Sequence, residues 1–447
     1  MVKIGGRFDR PEVREHLEFC AGRGWNAVWV FAEQAGEWTE PRAPDGPRLL
    51  PSFLELSEWC RERHLRIFVS IDPVAAAGGE YVFSDPRGAR RIEDFFRLLR
   101  GAGVRDFVLS FGDRPTALTA LADVVRYAAS SAPAHIDLAR TLERSVHRKE
   151  TFWLCGAAYC DAHLGDGTAP YAREFLEGLS RLPRRVGIVW TGPDVVSPSI
   201  TSAGLAATRE RLGGRKILLY DNYPTDRNHD GLGLALILGP LRERDPDLGS
   251  EVAAYLTSPM RELGASRLAL WTVADYLAAP AAYDPDASWR AAMRHFAGDD
   301  AAALEALEVQ GIEWGGWVGT RNYRDRDADN VHTAAAALRD PAALALWTYV
   351  VGRYPERMDA LRGLTDPAFR DPLLDRMGAR LAVGRALPLL VELHVAPPKR
   401  RGEVWTRIDR IRQETGENRE AARLLDRFLE AGGVRIPAAG RPAEIAP

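Results

Sequence analysis

The sequence predicts a (β/α)8 TIM barrel followed by an α-helical domain. Over roughly the first 280 residues, eight short apolar runs alternate with longer stretches of helical periodicity. The runs are apolar at nearly every position, as parallel strands are when helices cover one face and a core fills the other. Past roughly residue 290 the strand-like runs stop and only helical texture remains.

The strand runs are residues 3–8, 26–33, 66–73, 106–113, 151–160, 186–193, 216–224 and 252–259. Between them stand PEVREHLEFCAGRG, PSFLELSEWCRERH, RIEDFFRLLRGAG, PTALTALADVVRYAAS, PYAREFLEGLSRLP and SAGLAATRERLGG. A looser segment, NHDGLGLALILGPLRERDPDLG, precedes the eighth run, and a helix near ADYLAAP follows it. Eight such units point to a barrel; on pattern alone the rival is an open doubly wound sheet. The barrel is expected over residues 1–292 and the helical domain over 293–447, with DDAAALEALEVQGIEW, HTAAAALRDPAALALWTYVVGRY, DPLLDRMGARLAVGRALPLLVELHV and NREAARLLDRFLEAGG as its helices.

Composition narrows the function classes. The chain has 447 residues, 46% hydrophobic and 27% charged, with a net charge of -3. That balance gives no support to a nucleic-acid or anionic-membrane surface. The basic residues are nearly all arginine; the lysines are Lys3, Lys149, Lys216 and Lys399, a bias that reads as coding rather than chemistry. Four cysteines are too few for a disulfide framework, and the spacing of Cys155 and Cys160 lacks a second zinc-ligand pair, so neither metal nor cofactor is expected. There is no signal-peptide core and no apolar run of about 18 residues, so the expected location is the cytoplasm of a bacterium-like cell.

TIM barrels keep their chemistry at the C-terminal ends of the strands. The residues closing the runs are Asp9, Glu33, Gln34, Asp72, Asp113, Tyr159, Trp190 to Pro193, Asp221, Asn222, Tyr223 and Ser258. Carboxylates, amides and aromatic rings converging on one mouth suit a sugar: rings stack on its faces and polar groups bind its hydroxyls. The plainer reading of any one of them is a cap for the next helix, where Asp and Ser are favoured. For Asp113 the helix to be capped would be PTALTALADVV, entered through Arg114-Pro115.

WTGPDVVSPSIT (190–201), DNYP (221–224), TSPM with GASRLALWTVADYL (257–277) and AYDPDASW (282–289) together resemble the family 84 glycoside hydrolases. These include the O-GlcNAcases and hyaluronidase-like β-N-acetylglucosaminidases. The resemblance runs in order through about residues 3–290, and it implies a (β/α)8 barrel followed by a helical domain. Many members carry an α/β domain before the barrel; this chain starts at the first strand, so none is expected. The resemblance also implies a substrate-assisted retaining mechanism. The sugar's acetamido oxygen attacks the anomeric carbon, one aspartate after strand 4 orients the acetamido group, and the next is general acid and then base.

Several positions depart from the family pattern. The family's Phe-Asp-Asp reads Phe111-Gly112-Asp113: the acid/base position is kept as Asp113, and Gly112 stands where the orienting carboxylate would be. In the first strand Gly6 matches a sugar contact and Asp9 replaces a glycine. After strand 2 the sugar-binding lysine becomes Gln34, beside a new Glu33. Tyr159 falls on the family's active-site tyrosine, Asn222 matches, and Tyr220 keeps an aromatic. The aspartate that binds outer hydroxyls falls on Arg227 unless Asp226 takes its role, and Ser258 replaces an amide.

The expected function is therefore a glycoside hydrolase resembling β-N-acetylglucosaminidases, with Asp113 as acid/base and Trp190, Tyr220, Asn222 and Tyr159 lining the sugar site. The altered contacts point to a different sugar or glycoconjugate, with Arg227 a candidate for reading an anionic group. Asp9, Glu33 or Asp221 is a candidate second carboxylate. The alternative is a non-catalytic or repurposed barrel holding a sugar-like ligand. Trp314, Trp317, Arg321 and Tyr323 are candidates for a surface groove or for core packing.

Overall fold

In the computed structural model the described residues are all except 5–6, 33–38, 41–47, 129, 226–235, 314–348, 350–351, 416–424, 427–428, 431–433, 436–443 and 446–447. Eight parallel strands close into a barrel: β1 (Val2–Lys3), β2 (Ala27–Phe31), β3 (Arg66–Ile71), β4 (Asp106–Ser110), β5 (Thr151–Cys155), β6 (Gly187–Trp190), β7 (Ile217–Pro224) and β8 (Val252–Ser258). Neighbours in the chain are neighbours in the barrel, and β8 pairs with β1 through Val2 and Thr257. Seven of the expected runs contain one of these strands, and the first, residues 3–8, overlaps β1 only at Lys3. The TIM barrel and the helical region after it are both present.

Period-two alternation explains why both faces are apolar. Trp29, Phe68, Val108, Trp153, Val189, Leu218 and Leu256 fill the barrel interior. Their sequence neighbours, such as Val28, Val69, Phe107, Leu154 and Ile188, are equally buried on the outward face. The interior is built of large rings beside small residues: Trp29 stacks on Phe68 at 6.2 Å, and a Cβ on Gly187 would lie 2.3 Å from the Trp153 ring.

Helices Pro11–Gly22, Pro51–Glu62, Pro86–Gly101, Pro170–Leu179 and Ser202–Arg211 fall where helical texture was expected. The stretch 115–130 differs: among its described residues only Leu121–Tyr127 is helical, and a separate helix, Ala132–Glu143, follows. Leu121 and Val125 are 78% and 80% exposed, so the periodicity there has no core to pack against.

The described chain divides into two compact units. The first is Met1–Tyr223 with Arg242–Pro259 and Ala274–Tyr283; the second is Pro224–Leu241 with Met260–Val273 and Asp284–Pro447. The second unit contains helices Pro285–Ala297, Tyr354–Arg362, Pro367–Val395 and Pro398–Glu414. Within it Phe296 stacks on Phe369 at 4.5 Å, and buried Arg376 meets Glu262 at 2.5 Å. Gly264 lies so close to the start of the Pro367–Val395 helix that a Cβ would sit 1.8 Å from the Ala368 carbonyl oxygen. Backbone must move to admit it, so Gly264→Ala is expected to destabilise the fold by about 1–3 kcal/mol, read as a lowered denaturation midpoint. An unchanged midpoint would contradict that packing. No helix among the described residues is long and apolar enough to cross a membrane.

Candidate active site

The C-terminal mouth of the barrel is organised around the loops after β4 and β5. Tyr159 belongs to the barrel-interior cluster, and its hydroxyl donates to Asp113 Oδ1 at 2.5 Å. Burial, then the bond to Asp113 and its charge, push the phenol above its usual range, so it remains a donor. Asp113 is exposed and adopts a left-handed backbone with φ of 61°. It caps no helix: the next one begins at Leu121.

One buried pair holds both loops. Phe111 stacks on His135 at 3.7 Å, with the rings 1° from parallel. The His135 Nδ1 lies 3.0 Å from the Tyr171 hydroxyl, and that hydroxyl accepts from the Ala157 N–H at 2.8 Å. Burial pushes the imidazole down to about 3, so it stays neutral and Nδ1 can accept the phenol proton. His135 thus fixes the approach to Asp113 through Phe111 and the approach to Tyr159 through Tyr171. On the other side Arg114 donates to Asp72 at 2.6 Å, while Asp72 also accepts from Val74 N and Ala75 N. Asp72 is therefore a clamp and a helix cap, as its position after β3 allowed.

Gly112 faces this pocket with room to spare. A Cβ there would stand 3.6 Å from Tyr159 Cε1, 3.7 Å from Cys155 Sγ and 3.7 Å from Ser110 Oγ, all ordinary contacts. Burial pushes the Cys155 thiol up to about 12, so it is neutral. The three nearest groups are uncharged.

The far wall comes from β6 to β8. Strand parity separates residues that the sequence places side by side. Leu218 and Tyr220 face the interior, so Asn222 does too, and Asp221 faces outward. Asp221 is buried against Arg244, which forms two 2.9 Å bonds to it, and it also accepts from Tyr255. It is committed to the scaffold. Asn222 Nδ2 donates to the Val195 carbonyl at 2.7 Å, tying β7 to the WTGPDVVS turn. In that turn Gly192 has φ of 102°, and a Cβ would lie 2.7 Å from Ser197 Oγ, so only glycine fits.

Trp190 alternates with interior Val189 and is fully buried on the outward face. Ser258 follows interior Leu256 by two residues and is fully buried, with no hydrogen-bond partner for Oγ among the described residues. Asp9 is exposed and paired with Arg7 at 2.7 Å. Gly6, Glu33, Gln34, Asp226 and Arg227, like Trp314, Trp317, Arg321 and Tyr323, lie outside the described residues. The structure thus brings together Asp113 and Tyr159, sets Tyr220, Asn222 and Ser258 on the inner face, and turns Trp190 and Asp221 away from it. Among the described residues no group of three His, Cys, Asp or Glu is placed to hold a metal ion.

The sequence reading passed over Lys3. It shares the inward face of β1 with Met1, and its Nζ lies 4.9 Å from the Phe31 ring centroid and 5.8 Å from that of Tyr220. The one trace of it in the sequence is a lone charge between Val2 and Ile4.

A beta-N-acetylglucosaminidase family model matches residues 34–309. The chain belongs to the β-N-acetylglucosaminidase family. Among curated relatives, the Protein O-GlcNAcases of Rattus norvegicus and Mus musculus are each 27% identical over 226 residues. That alignment takes in 50% of this chain but 23% of each relative, so the chain spans only about a quarter of their length. A mutant of the Thermobaculum terrenum O-GlcNAc hydrolase shares the fold, with a TM-score of 0.63 at 22% identity over 97% of this chain and 93% of that one.

Proposed function

We propose that this chain is a glycoside hydrolase in which Asp113 is the general acid and then the general base, acting on a sugar conjugate other than a simple β-N-acetylglucosaminide. The observation that carries this reading is the Asp113 carboxylate itself, exposed at the mouth and held by the Tyr159 hydroxyl. In its protonated form a carboxyl so held delivers its proton to the leaving glycosidic oxygen as the bond to the anomeric carbon breaks, and the carboxylate left behind then takes a proton from the water that completes hydrolysis.

In the substrate-assisted route the acetamido oxygen supplies the electrons at the anomeric carbon, and its N–H needs an acceptor. Gly112 has no side chain to provide one. Losing a preorganised group of this kind costs about 3–4 kcal/mol, or 10²–10³ in rate. That deficit supports a substrate whose hydrolysis depends less on the acetamido group. A classical retaining pair would need a second carboxylate about 5–5.5 Å away. Asp72, Asp9 and Asp221 are engaged with Arg114, Arg7 and Arg244.

The deciding experiment offers the protein an aryl β-N-acetylglucosaminide and a panel of aryl glycosides lacking the acetamido group. Turnover confined to the panel sugars is the expected result. Turnover of the N-acetylglucosaminide alone would return the protein to ordinary β-N-acetylglucosaminidase activity. Gly112 favours one second reading, a barrel that binds a sugar-like ligand without hydrolysing it; silence across all substrates would overturn the first reading and favour that one. A hydrogen bond to a charged group is worth about 1.5–3 kcal/mol, so Tyr159→Phe is expected to lower kcat about tenfold or more. A variant with unchanged kcat would remove Tyr159 from the machinery.

A further inference from the structure

Lys3 sits where a strand of a barrel core normally carries an apolar side chain. Val2 and Ile4 point outward and are buried, whereas Met1 and Lys3 share the interior face. The register sets Lys3 beside Trp29, yet its Nζ lies over Phe31, the next inward residue of β2 toward the mouth. The side chain therefore climbs the wall toward the C-terminal end. Phe31 and Tyr220, the two rings beneath the ammonium, are both only partly buried.

Among the described residues Lys3 forms no ion pair. The carboxylates on that inner face are taken: Asp106 binds Arg66 and Thr151, and Asp72 binds Arg114. Asp113 is held by Tyr159. The aromatic faces attract the ammonium but do not neutralise it. On the same inner face the Ser70 Oγ, the Ser258 Oγ and the Trp29 Nε1 are buried without a hydrogen-bond partner among the described residues. Among the described residues, one cation without an ion pair and three buried donors without a hydrogen-bond partner thus share this face, and a group rich in anionic oxygen would satisfy them.

We propose that Lys3 is a specificity-determining residue that receives an anionic substituent, a carboxylate or a phosphate, on the sugar bound at the mouth. This rests on reading the mouth as a sugar site. It gives a chemical class to the altered substrate: an acidic or phosphorylated sugar conjugate.

Titration calorimetry of the full chain with N-acetylglucosamine, its 6-phosphate and its 6-carboxylate (the uronic acid) tests this without requiring turnover. At least one charged sugar is expected to bind roughly tenfold or more tightly than the neutral one, with the advantage shrinking as salt rises. The two charged arms tell phosphate from carboxylate. Lys3→Met is expected to erase the advantage, weakening the charged sugars about tenfold more than the neutral one, and Lys3→Arg to keep most of it. Equal binding of all three sugars by the unmodified protein would overturn the inference alone. Binding of none of these, nor of glucose, glucose 6-phosphate or glucuronate, which lack the acetamido group, would overturn the sugar-site reading beneath it. Equal weakening of all three by Lys3→Met would reduce Lys3 to a packing residue. Should Lys3→Met fail to fold, the salt dependence of the unmodified protein and the Lys3→Arg titration decide the matter: no salt effect and no charged-sugar preference in either would overturn it.

Discussion

Asp113→Asn is expected to lower turnover of every glycoside the protein hydrolyses by about 10²–10⁴, the usual contribution of a positioned acid/base. Asparagine tolerates the left-handed backbone that Asp113 adopts at φ of 61°, whereas alanine would add strain there. The carboxylate is exposed, so stability should change by no more than about 0.5 kcal/mol. The loss should also depend on the leaving group. Asparagine can accept the Tyr159 hydrogen bond but cannot hand a proton to the departing oxygen. An aryl glycoside with an acidic phenol needs little protonation and should lose least; an alkyl glycoside needs a full proton and should lose most. Measuring kcat for three leaving groups of graded acidity separates this from a packing defect, which would depress all three alike. Full activity in Asp113→Asn on an alkyl glycoside would remove Asp113 from the acid/base role.

Much of this architecture was legible in the residues. A parallel barrel strand is buried on both faces, so it announces itself as a dense apolar run; seven runs enclose their strands, while the run 3–8 meets β1 only at Lys3. The runs overshoot at their C-terminal ends. Residues 111–113 and 156–160 continue the apolar and aromatic texture, but they form the loops that carry Asp113 and Tyr159. The family motifs were readable for a related reason. Gly192 must be glycine, Asp221 neutralises a buried arginine and Asn222 anchors a turn, so each residue answers a local steric or electrostatic demand. Strand parity was not used, and it is what divides Asp221 from Asn222 and sends Trp190 outward. Lys3 was missed because its strand spans only Val2–Lys3, too short to show alternation. The helix expected over residues 115–130 followed a periodicity that meets no core, and Ala132–Glu143, which packs His135 against Phe111, went unread.

Gly112→Asp carries the second large effect. The position has no left-handed backbone, and its Cβ would make ordinary contacts with Tyr159, Cys155 and Ser110, so a Cβ is admitted there without strain. If the barrier to N-acetylglucosaminide hydrolysis lies in the unsupported acetamido N–H, a carboxylate there should raise that turnover by about 10²–10³. Glycosides without an acetamido group have no N–H to orient, so they should gain nothing. Comparing kcat for matched aryl glycosides with and without the acetamido group therefore reads this one interaction, free of general effects on folding or access. A rise in both would mean the added charge acts on the acid/base step. A rise in neither, from a folded protein that still binds N-acetylglucosamine, would move the cause of altered specificity away from Gly112 and toward the rest of the wall, where Lys3, Tyr220 and Ser258 stand.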